Sequence, residues 1–156
     1  MAWLKSLVRK WHTLQRLSRE ERRLLRQALV LFPLVTISLH LCGMKRTQSF
    51  LSRLIRNSRA FPPASTEPQL WKTVRMVRIA HRYNASWASC LRHSLVLWCL
   101  LRRQKIEADL RIGVGREEGA FAAHAWVEHQ GMVLNDGEDV HERFAAFDSP
   151  VGMEVR

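Results

Sequence analysis

The stretch Phe121-Ala-Ala-His124-Ala-Trp126-Val-Glu-His-Gln-Gly131-Met-Val-Leu-Asn-Asp136 constrains the fold of this chain most. Strand-forming residues lie on both sides of one glycine, the pattern of a β-hairpin. A three-residue loop, His129-Gln130-Gly131, suits a type I turn closed by glycine at φ > 0, where a side chain would be strained. That register pairs Glu128 with Met132 and, counted outward two by two, His124 with Asp136. Directly opposed side chains share a face with Cβ atoms roughly 4.5–5.5 Å apart. The hairpin therefore sets an imidazole beside a carboxylate, the orienting half of a nucleophile–base–acid triad. A two-residue Gln130-Gly131 turn would slip the register by one and send Asp136 to the opposite face.

The nucleophile to match is Cys90. It opens the apolar run Cys90-Leu-Arg-His-Ser-Leu-Val-Leu-Trp-Cys-Leu-Leu101, long enough for a helix, with Ser86 and Ser89 as N-cap residues before it. A thiol in the first turn of a helix lies near the positive end of the macrodipole and near free backbone N–H groups. Both favour the thiolate, the reactive form. The backbone N–H of Cys90 is one expected oxyanion donor; Asn84 and Trp87, in the preceding loop, are candidates for a second donor and for substrate contact. Trp126 lies two residues beyond His124 on the same strand face, placed to wall the site or to pack. Taken singly, each residue has a plainer reading: a packed cysteine, a structural histidine, a turn aspartate. Asp139 and Asp148 are rival orienting carboxylates. Zinc on Cys90, His124 and Asp136 is compatible with the ligand types, but no fourth ligand stands at a recognisable spacing.

The rest of the chain reads as helices. Ser18-Arg-Glu-Glu21 is a capping box, after a short basic amphipathic stretch over Met1–Leu17. The helix it starts should run from Arg19 towards Leu41, interrupted or kinked at Pro33 and stopped at Cys42-Gly43. Ala28–Cys42 is apolar but shorter than the roughly 20 residues that span a bilayer, so a buried or partner-clasping helix is expected. Met44–Asn57 continues as a basic amphipathic helix. The proline-rich segment 61–69 reads as a linker, Leu70–Arg82 as a helix, Glu107–Val114 as a strand, Gly115–Gly119 as a turn, Val140–Phe147 as a short strand or turn, and the tail after Pro150 as loose. Helices, then a cysteine-bearing helix, then an antiparallel sheet is an α+β arrangement. It divides into a basic helical region (1–60), the linker (61–69) and a core (70–156).

Charge sharpens the division. The net charge of +11 lies wholly in residues 1–60, which hold thirteen Lys and Arg against two Asp and Glu; the remainder carries twelve of each. An acidic partner for the N-terminal region is expected: peptide, protein, lipid headgroup or nucleic acid. Charge reversal at Arg19, Arg22, Arg23 and Arg26 should weaken that association. Cys42, Cys90 and Cys99 form no disulfide or zinc-finger pattern, and no secretory signal opens the chain, so a reducing, cytoplasmic setting is expected.

The motifs Cys90-Leu91-Arg92-x-Ser94-Leu95, Leu100-Leu-Arg-Arg103, Ile106-x-Ala108-x-Leu110-x-Ile112-Gly113-Val114, Phe121-x-Ala123-His124-Ala125-Trp126-Val127-Glu128 and Gly131 to Asp136 resemble the leader peptidases of lasso-peptide biosynthesis. These belong to the transglutaminase-like group of papain-like cysteine proteases, and the resemblance covers about residues 70–140. It implies a transglutaminase-like core with the Cys90 helix packed on a small antiparallel sheet. Cys90 would be nucleophile, His124 general base and acid, and Asp136 the orienting group, with no cofactor. It further implies three partners: a ribosomal precursor peptide cut at the leader–core junction, a separate leader-recognition protein, and an ATP-dependent cyclase that closes the freed core. One departure is Lys105, where family members often carry glycine.

Two other classes fit the residues. One is a different acyl-transfer enzyme on the same triad, a transglutaminase or amine acyltransferase, which the mass of the products would separate from hydrolysis. The other is a non-catalytic basic binding module. Nothing resembles a helix-turn-helix or an aromatic RNA-binding sheet, so nucleic acid is not expected as a partner, whereas peripheral contact with a membrane fits the basic helices.

Overall fold

The computed structural model describes residues 17–58, 66–84, 89–117 and 119–147. The helix expected over Met1–Leu17, all but Leu17, and the tail after Pro150 lie outside them. The elements run α1 (Arg19–Arg56), α2 (Thr66–Tyr83), α3 (Cys90–Arg103), β1 (Asp109–Glu117), β2 (Ala120–His129), β3 (Met132–Val133), α4 (Val140–Arg143) and β4 (Phe144–Ala146). This is the expected α+β order.

Helix α1 opens on the capping box: Ser18 Oγ accepts from Glu21 N at 3.2 Å, and Ser18 N donates to Glu21 Oε2 at 2.8 Å. The stop expected at Cys42-Gly43 is present, Gly43 being the residue inside α1 with non-helical backbone (φ 74, ψ 178), whereas the interruption expected at Pro33 is not. Proline removes one intrahelical bond, whereas glycine alone takes this φ at no steric cost. The bend is sharp. Ser38 Oγ lies 2.8 Å from Thr47 Oγ1, although nine residues of straight helix would separate them by roughly 13 Å. The chain therefore doubles back, and Thr47 and Leu51 on the second arm are fully buried.

The linker expected over 61–69 is shorter at its far end, because α2 already begins at Thr66. Pro68 sits in the first turn of that helix, where a missing N–H breaks no intrahelical bond. One core joins α1 (Leu24, Ala28, Val35) to α2 (Val74, Val77) and α3 (Leu95, Leu97). The change in charge near residue 60 is thus not a break in packing. At this junction His81 stacks on His93, ring centroids 4.5 Å apart. Burial first, then the neighbouring His81 and Arg78, hold the His93 imidazole down to about 4, so it packs neutral at ordinary pH.

Helix α3 ends in a Schellman motif: Ile106 N donates to Leu101 O and Lys105 N to Arg102 O, both at 3.1 Å. The C′ residue of that motif is Lys105, at φ 62. A left-handed non-glycine residue costs roughly 1–2 kcal/mol. Lys105→Gly is therefore expected to raise unfolding stability by about 1 kcal/mol, read as a higher midpoint in urea with an unchanged slope. No gain would show that the Lys105 side chain compensates for its backbone.

The sheet has the order β3-β2-β1-β4 with every pair antiparallel. Leu110 and Val127 join the helical core, while Trp126, Val133, Val140 and Phe144 form a second cluster. A Cβ built on Gly113 would lie 2.8 Å from Ala145 O and 2.9 Å from the Trp126 ring. Only glycine lets that ring lie across β1 beside His124.

Candidate active site

The hairpin is present, but in the alternative register. Glu128 pairs with Val133 and His129 with Met132, around a two-residue turn with Gln130 at φ 50 and Gly131 at φ 82. Two positive φ values give the primed turn whose twist matches that of the strands. Continued outward, this register would set Asp136 opposite Ala125, on the wrong face for His124. The strand does not continue. After Val133 the ladder keeps one bond, Leu134 N to Val127 O at 2.9 Å. Then the Asn135 side chain takes over, its Oδ1 accepting from Val127 N at 2.7 Å. Freed from strand alternation, the chain turns and Asp136 Oδ2 meets His124 Nε2 in a hydrogen bond. The expected pair forms, by a different route.

The carboxylate is held from three sides. Asp136 Oδ1 accepts from Gly137 N at 2.7 Å and from Arg143 Nη2 at 3.1 Å, while Oδ2 faces the imidazole. Burial opposes ionisation of Asp136, but the Gly137 N–H, His124 and Arg143 outweigh it and hold the carboxyl below its ordinary range. Arg143 also pairs with Asp139 at 2.9 Å, so the rival carboxylate Asp139 braces the arginine and not the histidine. Asp148, the other rival, lies outside the described residues.

The imidazole lies beside two aromatic rings. Its ring stacks on Phe144 at 4.8 Å and lies near-parallel to Trp126 at 6.3 Å between centroids. Trp126 is fully buried, and its Nε1 donates to Glu128 Oε1 at 2.7 Å. It backs the imidazole from inside and so is not a surface for substrate. Glu128 is buried too, neutralised by Arg111 Nε at 3.2 Å, with His141 Nε2 3.5 Å from Oε1. The ring nitrogen not engaged by Asp136 is Nδ1, which fixes the atom available to a thiol.

Helix α3 begins at Cys90, as expected. Ser89 is the N-cap, its Oγ accepting from Arg92 N at 3.4 Å. Cys90 is half-buried, Cys42 exposed and Cys99 buried. Burial pushes the Cys99 thiol up to about 12, which removes it as a nucleophile near neutral pH. One turn after Cys90, Ser94 docks the helix on the sheet: its Oγ donates to Ala125 O and accepts from Asn135 Nδ2, both at 2.9 Å. Ala125 O points to the β2 edge vacated when β3 ends. The start of α3 thus meets the sheet at that edge, one residue from His124. Among the described residues no hydrogen bond joins the Cys90 thiol to the ring.

The two substrate-contact candidates fare differently. Asn84 ends α2, its N and Nδ2 both donating to Ala80 O at 3.2 and 3.0 Å, so part of its amide is spent on the helix end. Trp87 lies outside the described residues. Ser94, Asn135, Glu128 and Arg143 were not assigned roles from the sequence. A serine inside the apolar run after Cys90 was the one signal, since a buried hydroxyl implies a partner. Ser94→Ala would leave Ala125 O and Asn135 Nδ2 without it, at a cost of about 1–3 kcal/mol. The expected result is a lower unfolding midpoint together with a loss of activity greater than that stability change explains. Unchanged activity would disconnect the docking of α3 from the site.

A cysteine opens α3, an imidazole lies on β2 and a carboxylate after the hairpin meets that imidazole, and residues 28–148 match the family model described as transglutaminase-like superfamily. The chain belongs to that superfamily. The transglutaminase-like match takes in α1 from Ala28 onward, α2 and α3 as well as the sheet. Over 74 residues, 47 % of the chain, it is also 31 % identical to the microcin J25-processing protein McjB of Escherichia coli. The aligned part spans 35 % of that relative's length. No solved structure matches the chain. Among the described residues no group of three His, Cys, Asp or Glu side chains could hold a metal ion.

Proposed function

We propose that this transglutaminase-like protein is a cysteine peptidase that removes the leader from a ribosomally made lasso-peptide precursor. The observation that carries the reading is the His124–Asp136 pair, assembled at the β2 edge where the Cys90 helix docks. Similarity to a microcin-processing protein supports the substrate class.

In this mechanism His124 Nδ1 takes the Cys90 proton, and the sulfur attacks the carbonyl at the leader–core junction. The tetrahedral oxyanion is met by backbone N–H groups at the α3 N-terminus. Arg92 N bonds to Ser89 Oγ and His93 N to Ser89 O; the N–H of Cys90 and of Leu91 precede the first intrahelical donor. The imidazolium returns its proton to the departing amine of the core peptide, leaving a thioester on Cys90. Water, deprotonated by His124, then hydrolyses it and releases the leader with a free carboxylate. Asp136 keeps the ring oriented and stabilises its charged form. A separate recognition protein presents the leader, and an ATP-using cyclase consumes the core amine, both in the cytoplasm.

The test is incubation with a precursor peptide, with and without a leader-recognition protein, read by mass. Leader and core with water added across one bond is the expected result. A mass showing transfer of the acyl group to an amine would replace hydrolysis by acyl transfer. No conversion in either condition would remove the peptidase reading.

A further inference from the structure

We propose that the first arm of α1 docks on the surface of an anionic lipid bilayer. Its inner face, Leu24, Ala28, Leu31 and Val35, is buried in the core. The outer face carries Val30, Leu34, Ile37 and Leu41, which are 58, 42, 49 and 77 % exposed. These four residues recur every three or four positions and so form one continuous row, roughly 16 Å long. Of the most apolar 18-residue window in α1, 28 % is buried, far less than the interior helix of a soluble domain would show.

The charge on the same face says what covers it. Carried one, two and three turns towards the N-terminus, the row continues as Arg26, Arg23 and Arg19, all exposed. Beyond its other end, past the Gly43 corner, Lys45 and Arg46 are exposed as well. An aliphatic row with cations at both ends matches an interface of acyl chains and acidic headgroups, the long basic side chains reaching back to the phosphates. A second copy of this chain offers no complement, because it would bring the same cations. The two carboxylates of the arm are already engaged, Glu20 with Lys72 at 3.3 Å and Glu21 with the capping box and Arg75 at 3.5 Å. The corner at Gly43 sets this mode apart from spanning: the chain turns back at the tip of the row, so the arm lies along the surface.

The inference stands apart from the peptidase reading and is tested without a substrate. The full chain is sedimented with phosphatidylcholine vesicles containing about 30 % phosphatidylglycerol, whose headgroups supply a negative surface potential, and with pure phosphatidylcholine vesicles. Binding to the acidic vesicles at least tenfold tighter than to the neutral ones is expected, weakening as salt rises. Leu34→Ser with Ile37→Ser, and separately Arg19→Glu with Arg26→Glu, should each reduce binding at least fivefold. These positions are exposed, so thermal unfolding should be nearly unchanged, which separates lost docking from lost fold. Equal binding to both vesicle types, no binding to either, or loss of exposure of the row through self-association in solution would each overturn the proposal. Binding to a soluble acidic protein or to nucleic acid with none to vesicles would do the same.

Discussion

Cys90→Ala is expected to abolish leader removal, a loss on the order of 10⁶ in kcat, the scale seen when a triad nucleophile is deleted. The side chain is half-buried at the first position of α3, and alanine is a good helix former. The unfolding midpoint should therefore stay within a few degrees of the parent, and mass analysis of the variant should find no acyl adduct where the proposed mechanism gives the parent a transient thioester. Cys99→Ala separates thiol chemistry from the mere presence of cysteine: Cys99 is buried with its thiol pushed up to about 12, so its loss should cost stability and leave the chemistry intact. Full cleavage by Cys90→Ala would end the assignment, whatever the geometry of His124 and Asp136.

Asp136→Asn should lower kcat by about 10³–10⁴, because an amide can favour the wrong imidazole tautomer while preserving shape. The pH dependence gives an independent reading. The folded Asp136 carboxyl titrates below its ordinary value, burial being outweighed by the Gly137 N–H, His124 and Arg143. Its contribution to stability is therefore fully present above the ordinary aspartate pKa near 4 and is lost as pH falls through the lowered value. Activity lost on mild acidification must then come from groups other than Asp136. Removing the guanidinium with Arg143→Gln should move the carboxyl's titration upward and lower kcat less than Asp136→Asn does. A low-pH loss of folding stability that begins at the same pH in Arg143→Gln as in the parent would show that the 3.1 Å contact does not bear on the carboxyl.

Much of this arrangement was legible in the residues. The capping box at Ser18 and the start of α3 at Cys90 with Ser89 as its cap follow from local signals, a cap beside an apolar run, whereas the pairing of His124 with Asp136 is expected from a hairpin register that the chain does not adopt. The misses share a cause, which is that side chains replace backbone where local rules stop applying. Gln130 takes a left-handed conformation that its side chain does not favour, because the primed turn suits the strand twist; this slipped the register. Asn135 then stands in for the next peptide unit of the ladder, and no periodicity announces that. The stop at Gly43 is legible in the sequence but the break expected at Pro33 does not occur, since a lost hydrogen bond is tolerated in a helix while a φ of 74 is not helical at all. Trp126 was set at the site by its strand face, but only the packed structure shows Glu128 holding its indole in the interior. Arg143 lies seven residues past Asp136 in a short returning helix, and its role depends on a turn that the sequence pattern does not specify.

The doubled-back α1 has a consequence for the birth of the chain. During synthesis its first arm emerges before any of α2 or α3 has been made. The residues that will cover Ala28, Phe32 and Val35 include Val77, Ala80 and Leu95, which follow after roughly fifty more couplings, several seconds at about 5–20 residues per second. Throughout that interval the nascent helix is greasy on every side. Folding of the second arm onto the first, with Thr47 and Leu51 turned inward, is the earliest shelter on offer, and Gly43 is what makes it reachable so soon.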